Sequence, residues 1–147
     1  MPTARDVIGV WKLLACKGVN LDTGETVDVY GQNPNGYLCY TAGGRMFAIL
    51  TRERRARLAG GGFDAKEASL QDKAEAYDTL DAYGGTYTLT ADGVIHHVDI
   101  ASNERRVGGD QTRHARIDGK ILTIETPEMA FPHAPRAKSR LIWEKIE

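Results

Sequence analysis

The chain has 147 residues, enough for one domain spanning 1–147 that buries a core without disulfide or metal staples. Its 19 basic residues against 20 acidic ones leave a formal net charge of −1. That offers no global field for nucleic acid or an anionic membrane, so neither is expected as a partner.

"PTARDVIGVW" after Met1 lacks the apolar core of a secretory leader, and no run is long enough to span a bilayer, so a cytoplasmic protein is expected. Cys16 and Cys39 are then reduced thiols. No zinc-like Cys/His spacing, metal motif or phosphate loop occurs, and no cofactor is expected.

In chain order, "GVWKLLACKGVNLDTGETVDVYG" (9–31) reads as two strands around Asp22, Thr23 and Gly24. "GYLCYTAGGRMFAILTRE" (36–53) is the clearest hairpin, with Ala42, Gly43 and Gly44 at its tip. "TRERRARLAGGGF" follows, and its Arg52, Arg54, Arg55 and Arg57 form either a solvated loop or a lid that meets an anion. The Ala-, Lys- and Glu-rich segment after it predicts one helix over about 65–82, with Asp64 as N-cap, Glu67 three residues later, and Gly84 and Gly85 ending the run.

Two more hairpins turn at Asp92-Gly93 and Asp118-Gly119, and "SRLIWEKIE" is the last strand. Some eight to ten short strands in succession predict an all-β fold, an antiparallel up-and-down barrel of about eight strands with one inserted helix.

Alternation sorts the side chains. Trp11 shares a face with Gly9, Leu13 and Ala15, and Leu141 shares one with Trp143. Tyr40, Met46, Leu50, Tyr87, Val98, Leu122 and Trp143 are expected to line the ligand space, with Arg52 at its mouth. In "GVIHHVDIA" (93–101) only one of the adjacent histidines can face inward. His96 shares its face with Val94, Val98 and Ile100, which favours His96, although Ile95 favours His97.

If Ile117 faces in, Gln111 and Arg113 go with it on the next strand. No inward acid is evident on these faces. A buried guanidinium needs an anion or water, so Arg113 points to a hydrated pocket.

Three functions fit. One is a binding module for a small, partly apolar metabolite that bears a carbonyl or carboxylate. Another is a cofactor-independent isomerase, cyclase or lyase, with His96 as acid or base and Arg113 and Gln111 stabilising an oxyanion. The third is an interaction domain with a solid interior. The oligomeric state stays open, a dimer included.

Gly9-Val10-Trp11 resembles the G-x-W of the first strand in lipocalins and related calycin barrels. Those proteins place an arginine near the chain end that packs over the tryptophan, a role that falls on Arg140. Over most of its length, including "IGVWKLLA", "GYLCYTAGGRM", "VIHHVDIAS" and "RLIWEKI", the chain resembles the bacterial and fungal lipocalin-like domain family. The resemblance implies about eight strands around a ligand cavity, with an inserted helix. It carries over no catalytic residue, because fold does not give function.

Overall fold

A computed structural model describes residues 2–63, 65–131 and 134–147. After a one-turn helix α1 (Ala4–Val7) come strands β1 (Gly9–Asn20), β2 (Thr26–Asp28), β3 (Asn35–Tyr40) and β4 (Arg45–Thr51). Helix α2 (Leu70–Asp78) leads into β5 (Leu80–Leu89) and β6 (Gly93–Ala101). A single 3-10 turn at Glu104–Arg106 precedes β7 (Asp110–Asp118), β8 (Ile121–Glu125), β9 (Met129–Phe131) and β10 (Ala134–Lys145).

Eight strands pair antiparallel in the order β1-β3-β4-β5-β6-β7-β8-β10, and β10 returns to β1 to close the barrel. The short β2 and β9 extend the pairing at β1 and β10. This is the up-and-down barrel that the hairpin succession predicts.

Trp11 closes one end. It is fully buried, and its indole N–H donates to the Val7 carbonyl at 2.9 Å, so α1 plugs the barrel base. The cation above its ring is Lys145, 5.2 Å from the centroid, rather than Arg140. The register explains the difference: Trp11 faces Lys145 across β1 and β10, whereas Arg140 faces Lys17 and pairs with Glu125. Around Trp11 pack Leu13, Leu38, Tyr40, Met46, Leu122 and Trp143.

Two bulges correct the simple alternation. In β1 the pairing shifts between Leu13 and Ala15, which leaves Leu14 outside and turns Cys16, not Ala15, inward. In β6 the register shifts opposite Gly84 and Gly85, so Val98 faces in while Ile100 is 65% exposed. Gly85 permits this close approach, since a Cβ there would lie 1.9 Å from the His97 carbonyl oxygen.

The helix is shorter than expected. Asp64 lies outside the described residues, and the N-cap is Ser69, whose hydroxyl accepts from the Asp72 amide at 3.1 Å. Leu80, Asp81 and Ala82 belong to β5, and the Gly pair sits inside that strand. Helix-forming residues run up to Asp78, but cross-strand pairing with Thr51, Leu50 and Ile49 captures the next three.

Replacing Trp11 with alanine is expected to lower stability by about 3–5 kcal/mol, from lost burial plus a cavity. Arg140→Ala, which breaks a part-exposed ion pair, is expected to cost at most about 1 kcal/mol. Urea unfolding of both variants checks the assignment; an Arg140→Ala loss as large as that of Trp11→Ala would refute it.

Candidate functional site

The barrel encloses a cavity of about 600 Å³. Leu38, Leu50, Ile124, Leu141 and Trp143 give it apolar walls, and Asp81, Tyr83, His96, Arg106, Gln111 and Arg113 gather on its polar side. Strand register puts them there. Asp81 and Tyr83 on β5 lie opposite inward Leu50 and Ala48, and His96 on β6 lies opposite Gln111 on β7. Val94 faces Arg113 one step along.

His96 is 1% exposed. Its Nε2 lies 2.6 Å from the Tyr40 hydroxyl and its Nδ1 lies 3.1 Å from the Tyr83 hydroxyl. Burial, with Arg113 and Arg106 nearby, pushes the imidazole down to about 3, so it is neutral at pH 7. Burial also holds the Tyr40 phenol well above its ordinary value and raises that of Tyr83, so both hydroxyls keep their protons.

These protonation states select one pattern. Tyr40 is fully buried and its hydroxyl has His96 Nε2 as its hydrogen-bond partner, so its proton goes to that nitrogen. The ring proton then sits on Nδ1 and is donated to the Tyr83 oxygen. Tyr83, which lines the cavity, has its own proton left to offer inward.

The arginines are placed by the link between β6 and β7. The Asn103 side chain accepts from the Arg105 amide at 3.1 Å and caps the 3-10 turn, which lays Arg106 4.1 Å over the Tyr83 ring. Arg106 pairs with Asp81 and donates to Gln111 Oε1 at 2.9 Å. Arg113 donates to the same oxygen and to the Thr112 carbonyl, both at 3.0 Å, and has no ion-pair partner among the described residues.

The Gln111 oxygen thus accepts twice, which leaves its amide N–H groups to point elsewhere. Burial lowers Arg113 from its ordinary value, yet a guanidinium stays charged at pH 7. Cys16, turned in by the β1 bulge, also lines the cavity, and burial raises its thiol to about 12.

The residues singled out from the sequence divide three ways. His96, Gln111, Arg113, Leu50 and Trp143 line the cavity. Tyr40 reaches it through His96, while Met46, Val98 and Leu122 are buried away from its lining. Tyr87 donates to the Thr41 carbonyl at 2.8 Å.

Arg52 is exposed and belongs to a separate groove, formed by residues 52–58 against α2. In that groove Arg55 donates to the Ala76 carbonyl at 2.8 Å and the Thr79 hydroxyl at 3.1 Å. His97 faces outward, 2.7 Å from Asp110 and 2.8 Å from the Thr88 hydroxyl.

Asp81, Tyr83 and Arg106 are the functional residues that sequence reasoning missed. Asp81 was hidden by the helical reading of its segment, and Arg106 lies in a loop to which alternation assigns no face. Among the described residues, no cluster of His, Cys, Asp and Glu is arranged to hold a metal ion. Also among them, no helix is long and apolar enough to cross a membrane.

His96 predicts a stability change with pH. The unfolded chain takes up a proton near 6.5 and the folded chain only near 3, so the unfolded state binds more protons between those values. The contribution is therefore full above pH 6.5 and falls as pH drops, by about 1.4 kcal/mol per pH unit in that window. His96→Asn is expected to lose this part of the acid dependence, seen by comparing urea midpoints at neutral and mildly acid pH. An unchanged slope would mean that His96 titrates normally.

A family model described as a lipocalin-like domain matches residues 8–146. No curated protein and no solved structure gives a significant match.

Proposed function

This chain belongs to the lipocalin-like domain family, and we propose that its barrel binds a small, partly apolar metabolite through a carboxylate or a carbonyl oxygen. The observation that carries the reading is Arg113, a largely buried cation on the cavity wall with no carboxylate partner among the described residues. Burying such a charge is costly unless an anion or water meets it. Around it the free groups are donors: the Tyr83 hydroxyl proton, the Gln111 amide and the guanidinium itself. Asp81 is the acceptor among them, and Arg106 engages it. Two guanidinium groups against that one carboxylate leave one positive charge, matched by one carboxylate on the ligand.

The apolar walls select the rest of the molecule, and a cavity of about 600 Å³ suits a metabolite of ordinary size. The free thiols Cys16 and Cys39 fit a reducing compartment such as the cytoplasm. Catalysis by His96 fits the geometry less well. Both of its nitrogens are engaged, and a pKa of about 3 makes it a weak base far from working pH.

The test is competition for the fluorescent anion anilinonaphthalene sulfonate by a panel of aromatic and aliphatic carboxylic acids, each paired with its neutral amide. Acids are expected to displace the dye better than their amides. Arg113→Ala is expected to weaken acid binding roughly 10- to 100-fold, the worth of a charged hydrogen bond. Equal displacement by acid and amide, or no effect of Arg113→Ala, would sink the reading.

A further inference from the structure

The outer faces of the two halves of the barrel differ in kind. On β7, β8 and β10 the outward side chains include His114, Arg116, Glu125, Arg140 and Glu144, as water requires. On β1, β3, β4 and β6 they are Val10, Tyr37, Cys39, Phe47, Ile49 and Ile100. Tyr37 and Ile49 are each 54% exposed, Phe47 48% and Ile100 65%.

These residues form one continuous surface. Tyr37 lies opposite Ile49, and Cys39 lies opposite both Val10 and Phe47. Gly84 joins Phe47 to Ile100, and a Cβ there would lie 3.0 Å from the Phe47 ring. Five strands about 4.8 Å apart make the face about 24 Å across, comparable to an interface of roughly 800 Å² per partner. Contiguous apolar surface of this kind marks an interaction site.

We propose that a second copy of this chain docks here, as a two-fold dimer with its axis lying along β4. The charges at the two flanks favour that occupant. Lys12 stands on the β1 side, 5.3 Å from the Tyr37 ring. Asp99 stands on the β6 side, in the bulge, exposed and without a partner among the described residues.

An axis along the strands sets the β1 flank of one copy against the β6 flank of the other, so each Lys12 meets an Asp99. A two-fold interface needs this self-complementarity. An anionic membrane would instead be repelled by Asp99. Arg45 bounds the patch at the turn end of β4, where the twist of the two sheets carries their corners apart.

Sedimentation velocity on the full chain over a dilution series tests this. The native protein is expected to dimerise at tens of micromolar. Ile49→Lys is expected to leave a monomer with an unchanged near-ultraviolet circular dichroism spectrum; Ile100→Lys, on another strand, serves if that variant fails to fold. Lys12→Asp and Asp99→Lys are each expected to weaken the dimer about ten-fold or more, and the double exchange to restore it. A native chain that stays monomeric overturns the proposal and assigns the face to another partner. A dimer indifferent to Ile49→Lys places the contact elsewhere and also overturns it. A double exchange weaker than either single one overturns the axis.

Discussion

The pairing of β1 with β10 is the constraint on which the rest depends. It runs from Trp11 opposite Lys145 to Asn20 opposite Ala137 and turns an open meander into a barrel. Closure removes the main sheet edges and creates an inside that a single sheet lacks. Only because that inside exists do Asp81, His96 and Arg113, on separate strands, face one another. Trp11 and α1 then plug one end, so the polar side of the cavity is not drained into solvent at the base.

Within the closed barrel, the bulges decide which side chains enter. Strict alternation would put Ala15 and Ile100 inside; the shifts at Leu14 and Asp99 put Cys16 inside and Ile100 outside instead. The second shift acts on both surfaces at once. It lets the chain turn toward the 3-10 segment that carries Arg106, and it supplies the apolar outer face with its most exposed large side chain. Gly85 is the residue that tolerates the approach.

Much of this was legible in the sequence, for a physical reason. Turn dipeptides with glycine and alternating strands are local signals, and closure follows from them once several hairpins succeed one another. The same locality placed His96 inside and His97 outside, and Arg113 on the inner wall. What was not legible depends on long-range pairing. The end of α2 was misread because Leu80, Asp81 and Ala82 are held in a strand by β4, which lies thirty residues earlier in the chain. Arg106 could not be assigned because a 3-10 turn has no strand parity. The contact over Trp11 passed from Arg140 to Lys145 because the β1–β10 register, rather than mere nearness to the chain end, sets which cation lies above the ring.

The polar side of the cavity derives its character from hydrogen-bond directions more than from charge count. A buried tyrosine with one partner commits its proton to His96; the imidazole passes its own to Tyr83, and Tyr83 turns its proton to the cavity. The Gln111 oxygen, saturated by two arginines, leaves its amide hydrogens as donors. Each acceptor in the cluster is thereby consumed by a neighbour, and what remains facing the ligand space donates. A cation in a polar but mixed pocket would bind many partners weakly. A cation among aligned donors, with apolar walls on the remaining sides, discriminates an oxygen anion from its neutral isosteres, because the neutral group leaves donors unpaired in a place where water is scarce.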